Sequence, residues 1–526
     1  MNYVIKLVKP MTPTTFSFFP RKNNYSNSFH SSTAIAALLQ RFIDSTSPSP
    51  GQAVHSHILK SGLRGNTNVS IKLLILHLKC GSLSYARQVL DQMPSPTLSA
   101  FNFMIAGYFK GGHTDEILEL VRKLGLSNER PDGFTLSMVL KLSATLASVD
   151  LAKQVHPLII KLACELDDVL VAALVDSYVK NGKLRYARRV FNAMPEENVV
   201  CSTALIHGYM NQMSFGEAEE IFQNIVDKDV VVFNAMIEGY SKTVETAIQS
   251  LEFYKDMQCW SFQPTISTFV SVIGACSLLS ALEFGQQLHS QVIKTGIFLH
   301  VKSGSAFIDM YAKCGRTDDA WRVFHYMPEK NVFSWTSMID GYGKNGNSHE
   351  ALALFYEMRK CAVVKPNLAT FLSALSACGH AGLVLEGQEI FNSMERDYSL
   401  KPRMEHYACM VYLLGRMGYL QEAYNFIKKI PDKPNSDVWA ALLASSRLHG
   451  HLKLADIAAN EVFKLSRYGR PGAYLALSNT LAAAGKWEDV SDVRELMRER
   501  GVSKDAGCSW VGTDKGLSDF HVAQRE

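Results

Sequence analysis

The stretch VKSGSAFIDMYAKCGRTDDAWRVFHYMPEKN (301–331) is followed directly by VFSWTSMIDGYGKNGNSHEALALFYEMRKCAVVKPN (332–367), and both halves carry the same apolar pattern. Each half contains two runs in which apolar residues recur at i, i+3, i+4 and i+7. The runs are Phe307, Met310, Tyr311 and Cys314; Ala320, Val323, Phe324 and Met327; Trp335, Met338, Ile339 and Tyr342; and Ala351, Leu354, Phe355 and Met358. This spacing predicts two helices per half, each with one apolar face. Because one hairpin cannot bury these faces alone, the pattern predicts a stack of hairpins.

The same pattern continues along most of the chain. Aligning the first predicted helix of each unit gives starts at Ser32, Thr67, Leu98, Gly133, Asp168, Val199, Val230, Ile266, Val301, Val332, Leu368 and Met404. The intervals are 35, 31, 35, 35, 31, 31, 36, 35, 31, 36 and 36 residues. A two-helix period in the thirties is typical of tetratricopeptide-like arrays, whose core grows lengthwise. The alternation of units of 35 or 36 residues with units of 31 residues is more specific for one class of helical repeat than the period alone.

Positive and negative charges are nearly balanced, so the net charge of the chain would contribute little to binding the phosphates of a nucleic acid. Lys and Arg number 54 against 50 Asp and Glu, and the surplus lies in residues 1–30, which contain Lys6, Lys9, Arg21 and Lys22 and no acid. Nucleic-acid binding would therefore depend on local contacts. Residues 1–31, rich in Ser, Thr, Asn and Phe, are interpreted as an organelle transit peptide, with a disordered leader as the alternative. No apolar run is long enough to span a bilayer, so no membrane partner is predicted.

Recurrent phrases identify the repeats more closely. GQAVHSHILKSG (51–62) is matched by GQQLHSQVIKTG (285–296), and FIDMYAKCG (307–315) alternates with WTSMIDGYGKNG (335–346). With these phrases the chain resembles a plant pentatricopeptide repeat (PPR) protein of the class with alternating P, L and S motifs. DVWAALLASSRLHGHLKLADIAA (437–459) and YLALSNTLAAAGKWEDVSDVRELMRERGV (474–502) resemble the two E motifs of its E subgroup, and DAGCSWVGTDKGLSDFHV (505–522) resembles the start of the E+ extension.

The resemblance implies an all-α fold, a right-handed α-solenoid superhelix of helix-turn-helix repeats. The expected organisation is a leader at 1–31, about twelve motifs at 32–435, two E motifs at 436–503, and a truncated E+-like tail at 504–526. Mitochondrial localisation is preferred for the leader, with the chloroplast as the alternative.

The sequence carries none of the common catalytic motifs. A zinc deaminase needs H-x-E and P-C-x-x-C, because the glutamate moves protons and the cysteines complete the metal shell. None of the sixteen histidines has Glu two places on, and the ten cysteines form no C-x-x-C. Phosphate-binding loops and nucleophile elbows are also absent from the sequence. We therefore predict that the chain is not an enzyme and has no catalytic residues, metal site or cofactor.

Helical-repeat RNA readers select one base per repeat through two or three side chains. In the family that this chain resembles, these are the fifth and the last residue of a motif, here called the selecting pair. The polar selecting pairs are Asn102 with Asp132, Thr203 with Asp229, Asn234 with Thr265, Ser305 with Asn331, and Thr336 with Asn367. By resemblance they favour U, G, a pyrimidine, A and A, which gives ??U??GY?AA?? read 5′ to 3′. Other motifs place Ile71, Ser137, Ala172, Val270, Leu372 and Ala408 at the fifth position.

Alternatives remain for the pairs and for the function. A short polar residue at a helix end can be only an N-cap or a turn former. The preferred hypothesis is a sequence-specific organellar RNA-binding protein that serves as the site-recognition factor for C-to-U editing. Its expected partners are single-stranded organellar RNA, a deaminase-bearing PPR protein acting in trans, and auxiliary editing factors. The alternatives are an RNA-binding factor for splicing, stabilisation or translation without editing, and a protein-binding helical scaffold.

Overall fold

The fold was obtained as a computed structural model. It describes residues 32–45, 55, 58, 66–127, 129–161, 168–194, 198–296, 300–361, 363–465, 471–503, 508–513 and 516–521. The predicted transit peptide at 1–31 and most of the phrase at 51–62 lie outside the described residues. The chain divides into two compact units, Met1–Lys228 and Asp229–Glu526.

The first unit is a stack of helical hairpins. Its described helices are α1 (Ser32–Ser45), α2 (Thr67–Lys79), α3 (Leu83–Asp91), α4 (Leu98–Gly111), α5 (Thr114–Leu126), α6 (Gly133–Thr145), α7 (Val149–Lys161), α8 (Asp168–Lys180), α9 (Leu184–Asn192), α10 (Val199–Asn211) and α11 (Phe215–Asn224). Among the described residues of this unit, α2, α4, α6 and α8 each contact the second helix of their own hairpin and the first helix of the next hairpin. The hairpins therefore form one layer of first helices and one of second helices.

The second unit continues the same arrangement. Its helices are α12 (Val230–Tyr240), α13 (Ala247–Cys259), α14 (Ile266–Leu279), α15 (Leu282–Lys294), α16 (Val301–Lys313), α17 (Thr317–Tyr326), α18 (Val332–Lys344), α19 (Ser348–Lys360), α20 (Leu368–Ala381), α21 (Val384–Tyr398), α22 (Met404–Arg416), α23 (Leu420–Lys428), α24 (Ser436–Leu448), α25 (Leu452–Leu465), α26 (Pro471–Ala483) and α27 (Trp487–Glu499). The described helices of both units thus form helical-repeat solenoids, as predicted. Among the described helices none is both long and apolar enough to cross a bilayer.

The tail adds an element that the all-α prediction did not include. Strands β1 (Cys508–Thr513) and β2 (Gly516–His521) pair antiparallel, with Cys508 opposite His521 and Thr513 opposite Gly516. The hairpin follows the last helix of the second unit and falls in the stretch that resembles the start of an E+ extension.

The first helices begin at the twelve residues obtained by aligning the repeats. Most follow a short polar residue that caps the helix: the side chains of Asn66, Thr97, Asp132, Asn331 and Asn367 each accept the backbone N–H of the third helical residue. Such a cap satisfies one of the unpaired N–H groups of the first turn and stabilises the helix by about 1 kcal/mol.

The two repeat lengths have a simple origin. In the 31-residue units the second helix has 9 residues, as in α3 and α9, or 10, as in α11 and α17. In units of 35 or 36 residues it has 13, as in α5 and α19, or 15, as in α21. The alternating period thus reflects a second helix shortened by about one turn.

The apolar faces predicted from the spacing form the core. Phe307, Met310, Met338 and Phe355 are all fully buried. Adjacent first helices also approach closely, because a Cβ atom on Gly341 of α18 would lie 2.7 Å from Cβ of Ala312 in α16. This close packing of neighbouring first helices brings the fifth residue of one motif near the start of the next.

Candidate nucleic-acid interface

The first selecting pair forms a hydrogen-bonded cluster. Asn102 lies in the second turn of α4, and Asp132 is the N-cap of α6 in the next hairpin. The Nδ2 atom of Asn102 donates to Oδ1 and Oδ2 of Asp132, both at 3.2 Å. Thr135, the third residue of α6, places its Oγ1 2.7 Å from Oδ1 of Asn102 and 2.7 Å from Oδ1 of Asp132. The two predicted residues are therefore joined through a third that was not predicted.

Asp132 is held in its ionised form. Partial burial raises its pKa, but hydrogen bonds from the backbone and hydroxyl of Thr135 and from the amide of Asn102 outweigh this effect, so the pKa of Asp132 is lowered overall. An ionised carboxylate has no proton to donate. Asp132 can therefore only accept hydrogen bonds from a ligand at neutral pH.

The pair Asn234 and Thr265 repeats this arrangement in the second unit. Nδ2 of Asn234 donates to Oγ1 of Thr265 at 3.3 Å, and Thr268 donates its hydroxyl proton to Oδ1 of Asn234. Thr265 caps α14, and Thr268 closes a reciprocal capping box with it. Here too, the third residue of the next first helix binds both members of the pair.

The pair Thr336 and Asn367 is joined through the same position. Oγ1 of Thr336 lies 2.8 Å from Oγ1 of Thr370, whose hydroxyl donates to Oδ1 of Asn367 at 3.0 Å. The backbone N–H of Thr370 also donates to that oxygen, at 3.0 Å. These contacts orient the carboxamide of Asn367 with its oxygen towards α20.

The other two predicted pairs are not joined by the described hydrogen bonds. Ser305 donates to the carbonyl of Val301 at 2.8 Å, while Asn331 caps α18 in a box with Ser334. Thr203, in the first unit, is buried and donates to the carbonyl of Val199 at 2.7 Å. Asp229, in the second unit, caps α12 by accepting from the backbone of its first turn. In these motifs each member of the pair bonds to its own helix.

The remaining fifth positions offer little for selection. Ile71, Val270 and Leu372 are partly buried apolar residues, and Ala172 and Ala408 carry only a methyl group. Ser137 is buried, and its hydroxyl donates to the carbonyl of Phe134 at 2.9 Å. These apolar side chains, and a hydroxyl already bonded to its own helix, leave little that could hydrogen-bond to a base edge.

A second feature at the helix starts was missed in the sequence. The second residue of several first helices is apolar and exposed: Phe134 (50%), Val169 (61%), Val200 (66%), Val231 (56%) and Phe333 (72%). Each is the second residue of its first helix, so this recurring apolar position is visible in an alignment of the repeats. Exposed apolar side chains at one-per-repeat spacing are suited to contacting the faces of unstacked bases.

Lysines occupy the thirteenth position in several motifs. Lys180, Lys313 and Lys344 each pair with the aspartate four residues earlier, at N–O distances of 2.8, 2.8 and 2.6 Å. Residues five, nine and thirteen share one face of a helix, so the lysines lie in line with the fifth positions. Exposed ion pairs of this kind are weak and can exchange for another anion.

No group of three or more His, Cys, Asp or Glu side chains in the described part of the chain is placed to hold a metal ion. What the first helices offer instead is a row of hydrogen-bonding groups, one set for each polar pair. Five first helices also carry an exposed apolar side chain at their second position.

Comparison with known proteins identifies the family. The model of the PPR repeat matches residues 99–127, 305–332 and 369–398, and that of the PPR repeat family matches 330–380. The model described as pentatricopeptide repeat-containing protein matches 132–257, and that of the E motif matches 449–512. The last match overlaps the predicted E motifs and extends into the strand hairpin.

Relatives and solved structures agree with these matches. A mitochondrial pentatricopeptide repeat-containing protein of Arabidopsis thaliana is 56% identical over 504 residues, which cover 95% of this chain and 96% of that protein. A chloroplastic one from the same plant is 32% identical over 477 residues, 90% of this chain and 52% of that protein. The pentatricopeptide repeat protein PPR10 from maize, in complex with an 18-nucleotide psaJ RNA element, matches 90% of this chain and 69% of its own with a TM-score of 0.65 and 16% identity. The chain is therefore a member of the pentatricopeptide repeat family, and it carries an E motif.

Proposed function

We propose that the protein binds single-stranded organellar RNA in a sequence-specific manner and marks sites for C-to-U editing. The observation that carries this proposal is the joining of Asn102 to Asp132, of Asn234 to Thr265, and of Thr336 to Asn367 across neighbouring motifs. A residue that serves only as an N-cap needs no partner in the preceding hairpin. These pairs combine side chains from two hairpins, as a one-base-per-repeat reader requires.

Binding would use the three kinds of side chain found along the first helices. The selecting pairs would bond to the Watson–Crick edges of successive bases, giving the pattern ??U??GY?AA??. Exposed residues such as Val231 and Phe333 would contact base faces. The lysines at the thirteenth position would bind phosphates by exchanging their aspartate partners. RNA binding is further supported by the similar fold of the maize PPR10 complex.

The editing role rests on the E motif at 449–512. A deaminase-bearing PPR protein would act in trans, with auxiliary editing factors, on a cytidine four nucleotides beyond the base facing the last S-like motif. The mitochondrial relative supports mitochondrial localisation, and the chloroplastic relative keeps the chloroplast as the alternative. The selecting residues proposed are Asn102, Asp132, Thr203, Asp229, Asn234, Thr265, Ser305, Asn331, Thr336 and Asn367.

Two experiments test the two parts of the proposal. RNA binding is measured by fluorescence anisotropy with the full chain, using an RNA that contains the pattern and a scrambled RNA of the same composition. Equal affinity for both RNAs would reject selective binding. No binding to either RNA would favour the protein-binding scaffold. Editing is tested by sequencing organellar transcripts from plants that lack the protein. Loss of editing at one or a few cytidines is expected. Intact editing with altered splicing or transcript ends would assign the protein to the other RNA-processing roles.

A further inference from the structure

Threonine recurs at the third position of the first helix that follows each joined pair. Thr135, Thr268 and Thr370 are all buried, with exposed fractions of 1%, 0% and 0%. Each hydroxyl contacts the fifth residue of the preceding motif: Asn102, Asn234 and Thr336 respectively. Because these threonines are buried, they would act on a base through the more accessible pair and not directly.

The arrangement around Thr370 fixes which group each partner can offer. Oδ1 of Asn367 accepts from both the backbone N–H and the hydroxyl of Thr370, so the amide NH₂ is left to face a ligand. If the hydroxyl of Thr370 instead donated its proton to Thr336, its Oγ1 and Oδ1 of Asn367 would face each other at 3.0 Å with no proton between them. Thr336 must therefore donate to Thr370 and present its lone pairs outward. The pair then offers one acceptor and one donor.

Adenine and cytosine carry an exocyclic amino donor beside a ring-nitrogen acceptor on the Watson–Crick edge. The lone pairs of Thr336 complement the amino group, and the amide of Asn367 complements the ring nitrogen. Uracil and guanine carry a carbonyl acceptor beside a ring N–H donor, which is the reverse order. The orientation imposed by Thr370 thus favours the amino bases.

The cluster around Thr135 has the reverse polarity. Its hydroxyl proton lies between Oδ1 of Asn102 and Oδ1 of Asp132, and the amide of Asn102 faces the carboxylate. One amide hydrogen of Asn102 is used there, which leaves the other for a ligand, while Asp132 can only accept. A donor beside an acceptor complements the carbonyl and ring N–H of uracil.

We propose that Thr135, Thr268 and Thr370 are positioning residues that set the donor and acceptor polarity of the selecting pair beside them. The inference rests on the proposed RNA binding and deepens it, since it adds a third residue, supplied by the next motif, to each joined pair. Where this residue is not a joined threonine, the pair would discriminate less sharply between amino and keto bases.

Ser334 supplies a matched control in the neighbouring motif. Thr370 and Ser334 are both the third residue of a first helix, and both close a capping box on an asparagine, Asn367 and Asn331. Oγ of Ser334 bonds to the backbone of Asn331, whereas Oγ1 of Thr370 reaches the fifth residue Thr336. Removing either hydroxyl therefore weakens a similar cap, but only the loss of the Thr370 hydroxyl also removes a contact with the fifth residue of the preceding motif.

The test compares full-length wild type, Thr370→Val, Thr370→Ser and Ser334→Ala. Anisotropy is measured with RNAs that contain the pattern. In each RNA one of the two adjacent A positions is replaced in turn by C, G or U. For wild type we expect a preference of about tenfold for A over G or U at the nucleotide facing Thr336 and Asn367. Thr370→Val should reduce this to about twofold, without changing the preferences at the U and G positions, and Thr370→Ser should restore it. Ser334→Ala should leave the preference at its own A position unchanged. Thermal melting shows whether the two caps are weakened alike.

The outcomes separate the two proposals. If wild type shows no preference between RNAs, the proposed function fails and the polarity proposal fails with it. If wild type discriminates and Thr370→Val lowers affinity equally for all four bases, Thr370 is only a structural residue and the polarity proposal alone is overturned. A selective loss at one nucleotide that Thr370→Ser reverses supports it.

Discussion

The Nδ1 atom of His289 lies 2.9 Å from the hydroxyl oxygen of Tyr311 in the next hairpin. His156 makes the same contact with Tyr178 at 3.0 Å, and in the earlier copy His55 lies 3.2 Å from His77, which replaces the tyrosine. Burial raises the pKa of Tyr311 to about 12, so its hydroxyl keeps the proton that it can donate to a neutral imidazole. His156 and His289, whose pKa values are lowered by burial, therefore join neighbouring hairpins as uncharged histidines.

These histidines should make the array sensitive to acid. Burial, with a smaller effect of His55, lowers the pKa of His77 to about 4, and burial also lowers the pKa of His156 and His289. In the unfolded chain their pKa returns to about 6.5, so between these values the unfolded state binds more protons. Stability should be full above about pH 6.5 and fall as the pH drops towards 4. The slope for His77 alone is at most about 1.4 kcal/mol per pH unit.

The measurement is the free energy of unfolding of the full chain by urea, determined at several pH values from 7.5 to 4.5. His77→Phe should flatten the dependence, because the group that titrates on unfolding is removed. An unchanged slope in that variant would show that other groups are responsible. Retention of full stability at pH 5 by the wild type would contradict the prediction altogether.

A second prediction concerns the close approach of neighbouring first helices. A Cβ atom on Gly341 would lie 2.7 Å from Cβ of Ala312, so Gly341→Ala forces the two helices apart. Overpacking of this kind costs about 1–3 kcal/mol. Gly274 in α14 is the matched control, since a Cβ there meets nothing within 4 Å and alanine favours a helix by about 0.5–1 kcal/mol over glycine. Thermal melting should therefore shift downward for Gly341→Ala and not for Gly274→Ala. A gain of stability in both variants would mean that the helices tolerate a wider spacing.

The basic residues should contribute affinity without specificity. Lys313 and Lys344 lie on the face of the selecting positions and form ion pairs near the surface with Asp309 and Asp340. Replacing either by alanine should weaken binding to matched and scrambled RNA by a similar factor. It should also lower the slope of log affinity against log salt by about one. Lys123, which pairs with Asp91 and Glu119 on second helices, serves as the control and should leave the slope unchanged. A change in base preference would mean that these lysines touch bases.

The sequence was sufficient for the helix starts because most motifs place a short polar cap before an apolar periodic run. The apolar faces followed from the same spacing, and Phe307 and Phe355 are buried as expected. The contact between Asn102 and Thr135 could not be predicted in this way. These residues are 33 positions apart and belong to different hairpins, so their distance depends on how the hairpins stack. The strand hairpin at Cys508–His521 was missed for a related reason, since strand pairing depends on register and not on helical periodicity.

The specificity of one motif should be convertible with two substitutions. Thr336→Asn together with Asn367→Asp places the residue types of Asn102 and Asp132 beside Thr370, which already occupies the position of Thr135. The amide and carboxylate should then present a donor and an acceptor to the base, and preference at that nucleotide should change from A to U. Anisotropy with RNAs that differ only there should show a reversal of about tenfold or more. The same double substitution at Ser305 and Asn331, as Ser305→Asn with Asn331→Asp, is the comparison, because Ser334 bonds to the backbone of Asn331. A smaller reversal is expected there. A change at any other nucleotide would show that the assignment of bases to motifs is out of register.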